Sequence, residues 1–295
     1  MAFMPYEIND QGKIKQIKKK EITLEKELQS LIEKNLNELF GITFLASEYS
    51  TGVRHGGRMD TLGIDENNSP VILEYKKNKN QNIINQALFY LDWLVDHESA
   101  FEILVRDKLE NKVEVDWSAP RVLCIAEEFK KYDTYAVEQM KRPIELIQYR
   151  YFENNLFVLD ILTPTEENKV GKNTKNKEYS IKDHLKKGSK NTIKLFNELR
   201  DYITELGDDV VESPRKFYLA YRVIRNFVCL EIHKKHLLLY LRLDPNNIDL
   251  DNAILRDVSE IGHFGTGDLE VRVENKDDIY FTKSLIEKAY ENCIT

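Results

Sequence analysis

The chain is sparing with cysteine: it has three in 295 residues, so at least one thiol has no mate. Cys124 and Cys229 sit in apolar runs, Val122-Leu123-Cys124-Ile125 and Phe227-Val228-Cys229-Leu230, where a free thiol packs as a small hydrophobe. Cys293 stands near the end. Reduced thiols in a cytoplasm are expected. No apolar run approaches the roughly 20 residues of a bilayer crossing, and the N-terminus lacks the apolar segment of a signal peptide, so no membrane is expected. Basic charge is short as well, with 43 Lys and Arg against 50 Asp and Glu and a formal net charge of -7. That argues against a non-specific nucleic-acid coat, although phosphate attraction follows local patches rather than the total. No arrangement of His and Cys suits zinc. Gly265-x-Gly267 is too short for a phosphate loop and reads as a turn.

What is present divides the chain in two. Residues 22–40 are helical by period, with Leu24, Leu28, Leu31, Ile32, Leu36 and Leu39 on the buried side. A strand near 44–49, two further strands around Asp60 and Glu74, and a helix over 81–97 follow. Trp117-Ser118-Ala119-Pro120 breaks the chain before a buried strand at 121–126. A helix at 132–140 and a hairpin around Glu153-Asn154-Asn155 complete an α/β layer, a central mixed sheet flanked by helices. The apolar period then disappears in a Lys- and Asn-rich stretch. This places a first domain at 1–163, a polar linker at 164–182 and a smaller α+β domain at 183–295. In the second domain Ser189 is the expected cap of a helix ending near Gly207, and strands are expected at 216–223, 226–233, 236–243 and 269–273. Phe217, Tyr218, Tyr221 and Phe227, with Arg215, Arg222 and Arg225, offer a stacking surface, or else one face of a core.

The most informative segment runs from Gly57-Arg58-Met59-Asp60-Thr61-Leu62-Gly63-Ile64-Asp65 to Val71-Ile72-Leu73-Glu74-Tyr75-Lys76-Lys77. Alternation puts Ile72, Glu74 and Lys76 on one face of the second strand. A carboxylate and an ammonium in an apolar strand are costly unless compensated, and a divalent cation between acids is the simplest compensation. A three-residue loop at Glu66-Asn67-Asn68 would set Asp60 opposite Glu74; a two-residue loop would not. Taken alone, such a pair of acids is more often solvated than metal-binding.

The order Asp60, then Glu74-Tyr75-Lys76, resembles the PD-(D/E)xK nuclease superfamily, with Met59 where that family often has Pro. The wider wording, through Asn85-Gln86-Ala87-Leu88-Phe89-Tyr90-Leu91, resembles its RecB-like endonuclease domains, which often precede a small C-terminal domain of unknown function. Arg215-Lys216-Phe217-Tyr218-Leu219-Ala220-Tyr221 resembles that small domain. The resemblance implies a restriction-endonuclease-like fold and a Mg²⁺- or Mn²⁺-dependent deoxyribonuclease leaving a 5′-phosphate. It implies Asp60 and Glu74 as metal ligands, Lys76 serving the attacking water, and Gln86 supporting the site with Tyr90 one turn on. Leu31-Ile32-Glu33-Lys34-Asn35-Leu36 resembles the family's helical acid, so Glu33 is expected to complete the metal site. Glu25, which projects between Ile32 and Leu36, is the alternative. Arg58, Lys77, Lys79 and Tyr90 are the expected nucleic-acid contacts, and His55 is either another or an exposed turn residue. DNA is the expected partner, with RNA open, a homodimer plausible by analogy, and a protein partner for the C-terminal domain. The competing reading is a catalytically silent nuclease fold that serves as a docking scaffold, with a ligand-sensing C-terminal domain.

Overall fold

The computed structural model describes residues 3–22, 24–52, 55–77, 82–109, 113–140, 142–163 and 179–294. A short antiparallel hairpin, β1 (Tyr6–Ile8) and β2 (Ile14–Gln16), precedes α1 (Glu25–Lys34) and α2 (Leu36–Phe40). The period over 22–40 suggests one helix, and the structure makes two. Asn35 divides them: its backbone leaves the helical region, and its side-chain amide donates to Leu31 O at 2.8 Å, competing with the helical ladder. Gly41 ends α2 in the left-handed conformation, φ 63°, that a terminating glycine adopts without strain.

The central sheet orders β3 (Ile42–Ser50), β4 (Arg58–Asp65), β5 (Pro70–Lys76), β6 (Arg121–Ala126), β7 (Ile144–Tyr151) and β8 (Phe157–Thr163) side by side. The first three form an antiparallel meander, β5, β6 and β7 are parallel, and β8 returns antiparallel. Parallel neighbours need crossovers. Here α3 (Ile83–Asp96) and α4 (Glu98–Lys108) carry the chain from β5 to β6, and α5 (Lys131–Gln139) from β6 to β7. Both faces of β5 and β6 are covered, which explains their nearly unbroken apolar sequence. Leu28 and Ile32 of α1 pack with Leu73, Tyr75 and Ile125 on one face. Ile83, Ala87 and Leu94 of α3 pack with Ile72, Val122 and Leu146 on the other. This is the mixed α/β layer expected from the sequence.

The C-terminal part contains α6 (Ile181–Leu185), α7 (Lys190–Thr204), β9 (Val211–Pro214), β10 (Leu219–Arg222), β11 (Asn226–Ile232), β12 (Leu237–Leu241), β13 (Leu255–Asp257), β14 (Leu269–Val273) and α8 (Lys276–Ile294). Ser189 caps α7, its Oγ accepting from Thr192 N at 3.2 Å. The sheet is antiparallel in the order β13-β14-β12-β11-β10-β9. Leu195, Phe196 and Leu199 of α7 and Ile279, Leu285 and Ile286 of α8 join its core. Strands β9 and β13 are too short to have stood out in the sequence. The proposed stacking surface is not formed: Tyr218, Tyr221, Phe227, Arg215 and Arg222 are all buried, and Phe217 alone of the aromatic four is exposed. Both faces of β10 and β11 are covered, with Tyr221 and Phe227 in one apolar cluster and Tyr218 in another. Most of the expected linker lies outside the described residues.

Buried charge joins the two parts. Arg121 of β6 reaches Asp65 at 3.4 Å and Glu145 of β7 at 2.9 Å, and Arg222 of β10 reaches Glu145 at 2.8 Å. The loop between β4 and β5 inserts its tip into the C-terminal sheet. Glu66 pairs with Arg242 and accepts from Asn226 N, while Asn67 bonds Asn226 and Tyr218, and Ser69 accepts from Arg215 at 3.0 Å. Cys124 and Cys229 are buried and all three thiols are free. Among the described residues no helix is long and apolar enough to cross a membrane.

Candidate active site

The hairpin of β4 and β5 adopts the three-residue loop, with Asp65 N donating to Ser69 O and Asn68 taking φ 61°. The resulting pairs, Thr61↔Leu73 through Ile64↔Pro70, belong to the register that puts Asp60 opposite Glu74. Pairing stops there. While β4 stays paired with β3 as far as Arg58, it parts from β5 beyond Thr61, and side chains replace the ladder. Asp60 Oδ2 accepts from Tyr75 N at 3.0 Å, and Asp60 N donates to Glu74 Oε1 at 3.2 Å. Both acids are thus held at the splayed end of the hairpin, each accepting from the backbone of the other's strand.

Their electrostatics are unfavourable as they stand. Glu74 is fully buried, and burial together with the Asp60 charge pushes its carboxyl up to about 9. Among the described residues its Oε2 has no hydrogen-bond partner. Burial also raises Asp60, against the opposing pull of the Tyr75 N–H and the Lys76 ammonium. For Lys76, burial favours the neutral amine, but Asp60 and Glu25 outweigh it and keep the ammonium protonated above its ordinary range.

The two candidate helical acids have different partners. Glu33 does not join the two strand acids: its Oε1 accepts from Thr61 Oγ1 at 2.7 Å and from Gln29 Nε2 at 2.9 Å. Glu25 instead accepts from Lys76 Nζ at 3.1 Å and from Lys77 N at 3.3 Å. The two acids are eight residues apart on α1, about 12 Å at ~1.5 Å per residue. The first turn of the helix lies over the end of β5 that carries Lys76. Gln29, between them, donates to Asp60 O at 2.7 Å. Among the described residues no group of three acidic, His or Cys side chains is gathered closely enough to hold a metal ion.

Gln86 and Tyr90 support the site from α3. Gln86 Nε2 donates to Tyr90 Oη at 3.3 Å, and that hydroxyl accepts from Arg58 N at 3.1 Å, two residues before Asp60. Tyr90, expected as a nucleic-acid contact, is only 5% exposed, with its hydroxyl engaged by Arg58 N and Gln86. Gly57 makes room for it: a Cβ there would lie 2.7 Å from Tyr90 Cε1. Gly57→Ala should therefore cost about 1–3 kcal/mol in urea denaturation. An unchanged midpoint would show that the Tyr90 anchor yields freely.

Arg58 is exposed, with Nε 2.5 Å from Glu48 Oε2. Lys77 stands at the end of β5, His55 is exposed with its ring near Phe89 and His97, and Lys79 lies outside the described residues. Glu48 was missed by sequence reasoning. It sits on β3 between the pairs Ser47↔Thr61 and Tyr49↔Met59, beside Asp60, with φ 54°. Burial would raise its carboxyl, but Lys26 at 3.0 Å and Arg58 together lower it. A left-handed glutamate inside a strand leaves no trace in composition or period.

A buried carboxylate and a half-buried one, with one oxygen that has no partner among the described residues, form a hard-oxygen donor set beside an ammonium. That set fits Mg²⁺ or Mn²⁺, since Mg²⁺ commonly takes one or two protein carboxylates and fills its shell with water and substrate oxygens.

Residues 181–292 match the family model described as a domain of unknown function, DUF5655. The chain is 29% identical over 297 residues to an uncharacterized protein of Haemophilus influenzae, covering 95% of this chain and 97% of that one. Among solved structures it is similar to a repair endonuclease from Pyrococcus abyssi, with 21% identity, TM-score 0.31, and 44% of this chain and 48% of that chain covered. It is also similar to an EndoMS–dsDNA complex, with 19% identity, TM-score 0.26, and 44% and 47% covered. The matched region thus spans about half the length of those endonuclease chains.

Proposed function

We propose that this protein is a divalent-metal-dependent endonuclease acting on DNA. The observation that supports the reading is the splayed end of β4 and β5, where Asp60 and the fully buried Glu74 stand beside Lys76 with Glu74 Oε2 unpartnered among the described residues. A bound Mg²⁺ or Mn²⁺ would supply Lewis-acid polarisation of the phosphoryl oxygen and acidify a water ligand. Asp60 and Glu74 are its holders. Lys76, kept protonated, stabilises developing negative charge and orients the incoming water rather than removing a proton. Glu25 fixes the Lys76 ammonium, while Gln29, Gln86 and Tyr90 fix the backbone around Asp60. Arg58, paired with Glu48, and Lys77 flank the gap and are the proposed contacts to backbone phosphates.

The test is cleavage of plasmid, single-stranded DNA and RNA with Mg²⁺ or Mn²⁺, beside an Asp60→Asn control. Metal-dependent products that the variant does not make support the enzyme. Retained nucleic-acid binding without metal-dependent cleavage favours the docking scaffold.

Metal binding itself carries a pH signature. Glu74 keeps its proton to about pH 9 in metal-free protein, and a ligand carboxylate must be deprotonated. Addition of Mn²⁺ near neutral pH should release about one proton per site, and apparent affinity should rise about tenfold per pH unit below the Glu74 pKa. Glu74→Gln should abolish the release. Binding without proton release would remove Glu74 from the ligand set.

A further inference from the structure

We propose that the groove between the N-terminal hairpin and the end of β7 is a subsite for the sugar–phosphate backbone, leading the strand under attack away from Asp60 and Glu74. The assignment to that strand rests on the nuclease reading. The groove encloses about 590 Å³ and is lined by Phe3, Lys18, Lys19, Gln148, Arg150 and Phe152, with Glu128 the single acid among its lining residues.

Position comes first. Strands β5, β6 and β7 run parallel, so their C-terminal ends share one edge of the sheet. The register Lys76↔Ala126 and Ala126↔Gln148 puts Gln148 two strands from Lys76. At ~4.8 Å per strand that is about 10 Å. That is a reach of a few nucleotides at most, so a backbone crossing this edge enters the groove close to the bond being cut.

The chemistry of the lining suits a nucleic-acid strand. Backbone bonds from Lys20 N to Tyr151 O at 2.8 Å and from Glu153 N to Lys18 O at 2.9 Å lay residues 18–20 along the end of β7. The lysines are therefore placed by main-chain pairing. Lys18 has no acid within ion-pair distance among the described residues. Lys19 is 2.5 Å from Glu127 and Arg150 is 3.3 Å from Asp160, both at partly exposed positions where phosphate can compete. Phe3 is 48% exposed, lies under the Arg150 guanidinium at 5.8 Å, and abuts Phe152. Cations along a track with an open aromatic face are what an unpaired or fraying strand requires. In a chain of net charge -7 such a track must be local.

The experiment measures binding of the full-length protein to a fluorescein-labelled DNA duplex with a single-stranded overhang, by anisotropy across a salt series in EDTA. Lys18→Glu and Lys18→Glu/Arg150→Gln are compared with wild type, with Lys18→Arg as the charge-preserving control and thermal midpoints verifying the fold. The expected result is about a tenfold rise in Kd per lost contact and a fall of about 0.7–0.9 in the log–log salt slope per charge removed. Lys18→Arg should keep both. At saturating substrate kcat should be unchanged while KM rises. Wild-type Kd and salt slope in both charge-removing variants would overturn the groove. Groove-dependent binding by a protein that cleaves nothing would keep the groove and discard the nuclease. Cleavage with binding indifferent to Lys18 and Arg150 would do the reverse.

Discussion

Asp60→Asn is expected to lower metal-dependent cleavage by about 10²–10³-fold or more, with the fold intact. The asparagine oxygen can still accept from Tyr75 N, so the bridge across the gap between β4 and β5 survives and only the charge is removed. Losing that charge also relieves Glu74, whose raised pKa owes its second-largest contribution, after burial, to Asp60. Stability should therefore hold or rise while activity falls, a combination that general damage does not produce. Lys76→Ala should lose a comparable factor for another reason, since it leaves Glu25, Asp60 and Glu74 without their shared cation. Thermal midpoints and kcat on the same preparations test both. Cleavage at wild-type rates in Asp60→Asn would remove the proposed centre.

The second large effect concerns stability. Glu145, buried between the guanidiniums of Arg121 and Arg222, ties the two sheets together. Burial alone would raise its carboxyl, but the two cations outweigh that and hold it at about 2, below an ordinary value of 4.5. Removing one partner from a buried ionic cluster strands the other, so Arg222→Ala should destabilise by about 3–5 kcal/mol. The pH dependence has a definite sign. Between pH 4.5 and about 2 the unfolded chain binds more protons at this site than the folded one. The contribution is thus complete above 4.5 and is lost as pH falls toward 2. Urea midpoints followed through that window should drop more steeply in wild type than in Glu145→Gln. Equal slopes would show that the cluster contributes nothing in this range.

Breaking the cluster would also be felt at the candidate active site. Asp65 and the tip of the β4–β5 loop are fastened to Arg121, Arg242, Asn226 and Arg215, while Asp60 and Glu74 lie at the other end of the same hairpin. About five strand residues, roughly 17 Å, separate the tip from Asp60. A C-terminal domain bound through that tip is more than an appendage on a polar tether.

Local rules accounted for much of this chain. The three-residue loop and its register followed from Asn-rich turn chemistry and strand alternation, and the i, i+4 spacing of Gln86 and Tyr90 became a hydrogen bond on α3. Ser189 was recognisable as a cap because capping is settled within one turn. Local rules run out where two segments distant in sequence meet. Glu33 and Glu25 sit on the same helix, and helical period alone does not tell which end overlies Lys76. Asn35 breaks the 22–40 helix, its side-chain bond to Leu31 O competing with the ladder.

By itself the sequence determined the alternation of strands and helices and the apolar cores, and narrowed the register of Asp60 against Glu74 to a choice of loop length, because each depends on spacing along a single segment. Only the tertiary structure decided that Glu25 rather than Glu33 meets Lys76, that Glu48 lies beside Asp60, and that Arg121, Glu145 and Arg222 bind the sheets together. Those contacts depend on how packed elements are placed in space. Burial makes charged groups find partners, but the chain order does not say which partner will be near.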